Sequence, residues 1–314
     1  MRYRAFGKSG LKVSEIGFGA WGIGGESHGA TSYGSTDDAE SVRALETAFD
    51  HGITFFDTAG AYGNGHSEEL IGHTFAGRRD RIVIATKAGR RDFREPHDFS
   101  PSAVRASVES SLRRLRTDTI DLLQLHDPDV GAPELEDTFA TLGQLRGHGS
   151  VRFVGVSVRS PVDGTRVLKR FDVDALQVNL NLLDQRAVES GLLNAAAAAG
   201  VAVIARTPLC FGFLTGEYGP ETDFEAADHR NIWPEAQIAR WVEGGREMSA
   251  AVDRRSTQRA VHVALRFCLS FESVATVIPG ILTPAQAREN AAASDFGPLS
   301  KAELARIRTH YQQN

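Results

Sequence analysis

Cysteine is nearly absent from this chain of 314 residues: Cys210 and Cys268 are the only two. They could form at most one bridge, so no disulfide framework holds the fold. The ten histidines include no His-Glu-x-x-His, and no Cys-x-x-Cys exists, so the sequence carries no metal motif. Excess positive charge is missing too. Lys and Arg number 35 against 40 Asp and Glu, a net charge of −5, which leaves no global basic footprint for nucleic acid. Long apolar runs are also missing. The longest, 192–205, is broken by Asn194 and Gly200 and cannot span a bilayer, so no membrane partner is expected. Residues 1–6 lack the apolar core of a signal peptide, and a cytoplasmic protein is expected. The remaining composition, 41% hydrophobic and 24% charged, is that of a globular protein and excludes disorder, collagen and coiled coil. Length alone suggests about two domains, but barrels of about 250 residues and more fold as one.

Short β-branched runs alternate with amphipathic or Ala-rich stretches. The runs predict strands at 14–17, 54–56, 82–86, 120–124, 152–156, 175–178, 201–205 and 274–278. Between them the pattern predicts helices at 37–50, 67–75, 101–115, 133–146, 161–170, 187–199, 258–270 and 284–293. Three of these open with Ser or Thr before Pro (Ser100-Pro101, Ser160-Pro161, Thr283-Pro284), an N-cap followed by a first-turn proline. Strict alternation argues for parallel α/β, and eight units point to a closed (β/α)8 TIM barrel rather than an open sheet. Additions are expected around it: an N-terminal hairpin (3–6 with 11–13) plugging one end, a long connection at 206–255 after strand seven, and a C-terminal helix at 300–311. Residues 1–314 are therefore expected to form a single domain.

In a barrel the active site lies where strands end. Six consecutive apolar strands end in polar groups: Asp57, Lys87, His126-Asp127, Ser157, Gln177 with Asn179, and Arg206. Stability alone would not require that concentration. Gly17-Phe18-Gly19-Ala20-Trp21-Gly22 matches the dinucleotide fingerprint G-x-G-x-x-G, but six glycines between 17 and 29 forbid the helix that must follow. Gly7-Lys8-Ser9 is a turn, lacking the leading glycine of a phosphate loop. Gly155-Val156-Ser157-Val158-Arg159 misses the nucleophile elbow at its last position. Arg90, Arg91 and Arg94 read as a solvated basic loop, with capture of an anionic substrate group as the alternative.

The informative stretch is Phe55-Phe56-Asp57-Thr58-Ala59-Gly60-Ala61-Tyr62-Gly63, joined by Thr86-Lys87, Leu125-His126, Gly155-Val156-Ser157 and Val277-Ile278-Pro279-Gly280. In order and spacing these motifs resemble the aldo-keto reductase family over most of the chain. The resemblance implies a (β/α)8 barrel that binds an extended nicotinamide dinucleotide and reduces a carbonyl. It also implies catalytic roles. Tyr62 would act as general acid, with Lys87 beside the phenol lowering its pKa. Asp57 would hold Lys87 charged, and His126 would donate to the carbonyl oxygen.

Carried over residue by residue, the cofactor site comprises Gly19, Ala20, Trp21, Asp57, Ser157 and Gln177 around the nicotinamide. Arg206 stands where the family commonly stacks an aromatic, and a guanidinium can stack as well. Val158 follows the serine where Asn is frequent. Thr207 and Leu209 are further cofactor positions; Gly212, Leu214, Thr215 and Gly216 match the pyrophosphate segment, and Gly280, Gln286, Glu289 and Asn290 match the adenosine end. Gly280, Ile281 and Leu282 replace the cations that grip a 2′-phosphate, leaving Arg288 as the nearby cation. NADP(H) is expected on family grounds, with NAD(H) as the alternative. Substrate contacts are expected from Trp21, Tyr62, Phe93 and His126. Phe211, Phe213, Trp233 and Trp241 are further candidates to wall the pocket. The segment 217–230, rich in acidic residues, reads as a solvated lid. Its partner would be a small-molecule carbonyl compound. An NAD-linked sugar or alcohol dehydrogenase is the second reading. A non-enzymatic nucleotide-binding partner, like the potassium channel β-subunits that resemble this family, is the third. No heptad seam or long apolar edge marks an oligomeric interface.

Overall fold

The computed structural model describes residues 1–26, 31–219, 221–252 and 258–313. It opens with a hairpin in which β1 (Tyr3–Ala5) pairs antiparallel with β2 (Lys12–Ser14). Eight strands follow: β3 (Phe18–Gly19), β4 (Phe55–Asp57), β5 (Val83–Ala88), β6 (Ile120–His126), β7 (Val151–Ser157), β8 (Ala175–Asn179), β9 (Ala202–Arg206) and β10 (Val274–Ile278). Each pairs parallel with the next in chain order. The two edges meet through parallel bridges Ile16–Val277 and Gly19–Gly280, and Gly19 N–H donates to Pro279 O at 2.9 Å. The sheet thus closes into a barrel. The closure needs glycine at 19, where a Cβ would stand 2.8 Å from the carbonyl oxygens of Ile278 and Pro279.

Helices α1 (Asp38–Asp50), α2 (His66–Thr74), α3 (Pro101–Leu115), α4 (Leu135–Gly147) and α5 (Pro161–Arg170) flank the first strands. The caps behave as their residue types require. Asp37 accepts from Glu40 N–H at 2.7 Å, and Ser100 and Ser160 accept from the third residue beyond. The expected helix 187–199 is instead two, α6 (Arg186–Glu189) and α7 (Leu192–Ala198), because Gly191 between them sits at φ +74°. The expected first strand, 14–17, also needs correction. Ser14 ends the hairpin; its hydroxyl donates to Ile16 O at 2.7 Å and accepts from Thr54 N–H at 2.9 Å. That bends the chain, and the barrel strand begins at Phe18.

The core has two layers. Inside the barrel, Phe55, Val83, Ala85, Leu122, Ala175 and Ile204 pack with Phe6 and Val13 of the hairpin, which plugs the N-terminal end. Outside, the opposite faces of the strands pack against the helices. The C-terminal mouth is left for a site.

Between β9 and α9 (Ala260–Leu269) runs the long connection, and within it lies α8 (Glu235–Ala250), a helix the sequence pattern did not separate from the loop. The segment 217–230 is not the solvated lid expected. Glu217, Glu221 and Glu225 are exposed, but Asp228, His229 and Arg230 are buried. Arg230 pairs with Asp228 at 2.6 Å and lies over the rings of Phe224, Tyr218 and Tyr33 at 4.1, 4.9 and 5.0 Å. His229 N–H donates to Ser32 O at 2.9 Å, fastening the segment to the loop before α1. Pro220 and residues 253–255 of the expected connection, and residues 27–29 of the glycine-rich loop, lie outside the described residues. Helices α10 (Pro284–Phe296) and α11 (Lys301–Gln313) complete the chain. Among the described residues no helix is long and apolar enough to cross a membrane.

Candidate active site

At the C-terminal mouth, neighbouring strands bring four side chains together. Asp57 ends β4, Lys87 is the fifth residue of β5, His126 ends β6, and Tyr62 stands five residues beyond β4. Lys87 is buried, and its ammonium group donates to Asp57 Oδ1 at 2.5 Å, Thr58 O at 2.8 Å and Tyr62 Oη at 3.1 Å. Three donors meet three acceptors, so nothing on Nζ is left unpaired. The second carboxylate oxygen of Asp57 accepts from Gln177 Nε2 at 2.7 Å and Gln124 Nε2 at 3.0 Å. Gln124 was missed from sequence. Its signal was a polar residue two before His126, hence on the same inward face of β6. Glu68 was missed too; buried in α2, it accepts from Thr86 Oγ1 at 2.5 Å and pairs with Arg114 at 2.6 Å.

Electrostatics partly reverse the expectation for the phenol. Burial raises the Tyr62 pKa, and Lys87 only offsets that rise. The Lys87 pKa is raised although burial, the largest influence, opposes this; Asp57 and then Tyr62 outweigh it. Burial, followed by the charges of Lys87, Arg90 and Arg206, holds His126 well below the usual histidine range. His126 is therefore a neutral ring at pH 7. Its Nδ1 is buried without a hydrogen-bond partner, which leaves Nε2 as the nitrogen suited to carry the proton.

Asp57, Tyr62 and His126 border a cavity of about 290 Å³. Gly19, Ala20, Trp21, Asp57, Tyr62, Phe93, His126, Ser157, Gln177 and Arg206 line it at the barrel mouth. Thr207, Leu209, Gly212, Gly280, Gln286, Glu289 and Asn290 carry it onward. Two residues expected at the cofactor do not reach it. Leu214 is buried in the core, and Gly216, at φ +82°, shapes a turn; neither lines the cavity. Of the other candidate wall residues, Phe211 lines it, whereas Phe213 and Trp233 pack against one another and against Trp241 of α8. Arg288 is exposed and does not line it. The nearby cation is instead Arg259, paired with Glu289 at 2.6 Å and Glu217 at 3.0 Å. Tyr33, Tyr218 and Arg230 line the cavity and carried no sequence motif; loop docking brings them there.

The residues present fit an extended nicotinamide dinucleotide. At the barrel end Gln177 spends its N–H donors on Asp57 and Gln124, and Ser157 donates to Asp127 at 3.0 Å. Both therefore keep acceptor oxygens for a carboxamide NH2 group. Arg206 lines the cavity, and a planar guanidinium can stack on a ring. At the far end Gln286, Glu289 and Asn290 supply amide and carboxylate groups of the kind that read adenosine.

Comparison with known proteins agrees. The family model described as the aldo/keto reductase family matches residues 15–312. Aldo-keto reductase YhdN of Bacillus subtilis is 33% identical over 91% of this chain and 86% of its own length. L-glyceraldehyde 3-phosphate reductase of Escherichia coli is 32% identical over 99% and 92%. Among solved structures, glycerol dehydrogenase AKR11B4 from Gluconobacter oxydans superposes with a TM-score of 0.83, at 30% identity over 99% of this chain and 95% of that one. With its eight-stranded parallel barrel and a cavity fit for a nicotinamide dinucleotide, this chain belongs to the aldo/keto reductase family of NAD(P)(H)-dependent oxidoreductases.

Proposed function

We propose that the chain reduces the carbonyl of a small aldehyde or ketone, a sugar or sugar derivative included, with Tyr62 as general acid. The observation that carries this reading is the Lys87 ammonium group, 2.5 Å from Asp57 and 3.1 Å from the Tyr62 hydroxyl. A bound reduced nicotinamide supplies the hydride. Tyr62 Oη gives its proton to the carbonyl oxygen. Lys87 stabilises the phenolate left behind, and Asp57, held by Gln124 and Gln177, keeps Lys87 charged inside the barrel. His126, neutral and 6.0 Å from the Tyr62 ring centre, directs an N–H toward the same oxygen and orients the carbonyl. The test is Tyr62→Phe, which should abolish turnover while leaving nucleotide binding nearly intact; wild-type turnover in that variant would overturn the assignment.

Family usage supports NADPH as the cofactor. One observation favours NADH as a second reading. Gly280, Leu282, Gln286, Glu289 and Asn290 line the Gly280–Asn290 side of the cavity; among the described residues no cation lines that side, and Arg259, behind it, is already paired with Glu289 at 2.6 Å. A carboxylate accepts hydrogen bonds from a ribose diol but repels a 2′-phosphate. Thermal-shift titration with NADP and NAD separates the two. A larger shift with NADP at equal concentration supports NADPH, and the reverse order supports NADH.

A further inference from the structure

Among the described residues, Arg90 and Arg206 line the cavity beside Tyr62 and His126, and Lys87 lies behind Tyr62; Lys87 and Arg206 already have counter-ions. Lys87 is paired with Asp57, and Arg206 lies 3.7 Å from Asp127 while donating to Val158 O at 3.2 Å. Arg90 differs. It lines the cavity, yet among the described residues it makes no ion pair; its Nε, like that of Arg206, is buried without a hydrogen-bond partner. Its guanidinium stands 4.8 Å over the Phe93 ring. That ring in turn lies parallel to Tyr62, with centres 6.3 Å apart. Arg90 is thus one ring away from the proton donor. Burial pulls its pKa down and Arg159 adds to this, against Asp127 and Asp92. The guanidinium nevertheless stays charged, and a partly desolvated charge without a partner is costly unless a ligand supplies one.

The loop that presents Arg90 is preformed. Asp98 N–H donates to Gly89 O at 2.9 Å, closing the loop 89–98, and Gly89 holds φ +92°. Arg94 N–H donates to Asp92 Oδ1 at 2.8 Å within it. The basic loop read from sequence therefore divides. Arg91 and Arg94 are exposed, as the solvated reading expects, while Arg90 turns inward beside Phe93.

We propose that Arg90 is a specificity-determining residue that binds an anionic group, carboxylate or phosphate, borne by the carbonyl substrate a few atoms from the reacting carbon. The assignment rests on the carbonyl-reductase reading above. The planar fork of the guanidinium suits both anions, and the Phe93 face fixes its plane. The anion is a handle and leaves the reaction unchanged: hydride goes to carbon, the Tyr62 proton to oxygen, and the nicotinamide is oxidised.

The experiment measures kcat/KM for two matched pairs, glyceraldehyde 3-phosphate against glyceraldehyde and succinic semialdehyde against butanal. Wild type, Arg90→Gln, Arg90→Lys and Arg91→Gln are compared, each with its melting temperature. Wild type should prefer the charged member of at least one pair by tenfold or more, and the responding pair identifies the anion. Arg90→Gln should lower that preference about tenfold, mainly through KM. Arg90→Lys should keep part of it and Arg91→Gln all of it. Equal use of charged and neutral members by wild type, or an undiminished preference in a folded Arg90→Gln, overturns the assignment while the reductase reading stands. No reduction of any of the four compounds overturns both.

Discussion

At Lys87 a buried charge has all three of its protons accepted, and the carboxylate that balances it is itself held by two glutamine side chains. Removing the counter-charge while keeping the shape is therefore expensive. Asp57→Asn should destabilise the protein by about 3–5 kcal/mol in urea unfolding, because it strands an ammonium ion in the barrel. An unchanged midpoint would mean that Lys87 does not depend on Asp57. The raised pKa of Tyr62 fixes the sign of a second expectation. On the proposed mechanism Tyr62 must be protonated to reduce, so reductive kcat/KM should stay level through neutral pH and fall only as pH climbs past about 10, the ordinary tyrosine value. Alcohol oxidation, which needs the phenolate, should rise over the same range. A reductive rate already falling near pH 8 would place the controlling proton elsewhere. Residue identities at this scale were readable from the sequence because strand ends expose them in order. Gln124 and Glu68 were not, since neither the apolar run around Gln124 nor the polar helix start around Glu68 marks a side chain as buried and paired.

Strands and helices are held by repeated local rules, and the loops between them carry the precision. Pro101, Pro161 and Pro284 each stand at a helix start after a hydroxyl cap, as their order in the chain predicted. The break at Gly191 and the bend at Ser14 were hidden because a glycine in an Ala-rich run, or a serine beside apolar residues, does not reveal its backbone angles. The loop that carries Tyr62 is placed by glycine. Gly63 has φ +57°, and a Cβ there would collide with the backbone of Gly24. Gly63→Ala should displace the turn that begins with Tyr62 and lower kcat tenfold or more, with a smaller loss in melting temperature; a wild-type kcat would show that the turn adjusts. At the opposite end, Phe6 fills the barrel floor 5.9 Å from Phe55. Phe6→Ala should cost about 3–5 kcal/mol in denaturant unfolding. Its effect on kcat/KM should be small, since the plug and the mouth are at opposite ends.

Across the whole molecule, the cavity lies between the barrel mouth and the connection from β9 to α9, so a ligand there bridges parts that are distant in sequence. Nucleotide at about 100 times its Kd should stabilise the fold by roughly 2.7 kcal/mol, and it should slow trypsin cleavage at Arg230 and Arg259, which flank the cavity. Failure of nucleotide to alter either melting or cleavage would overturn nucleotide binding in this cavity. Arg230 explains how the connection is anchored, through Asp228 and three aromatic rings. Sequence alone determined the alternation of eight strands and helices, the barrel, the plug, and the order in which Asp57, Tyr62, Lys87 and His126 reach the mouth, because hydrophobic period and turn chemistry are local properties. Tertiary structure decided which charges are paired. It left Arg90 without an ion pair among the described residues, joined Arg259 to Glu217 and Glu289, buried Asp228 and Arg230, and raised the Tyr62 pKa by a burial that outweighs the lowering by Lys87. Those outcomes depend on burial and on distances between residues far apart in the chain, quantities that no spacing along the sequence contains.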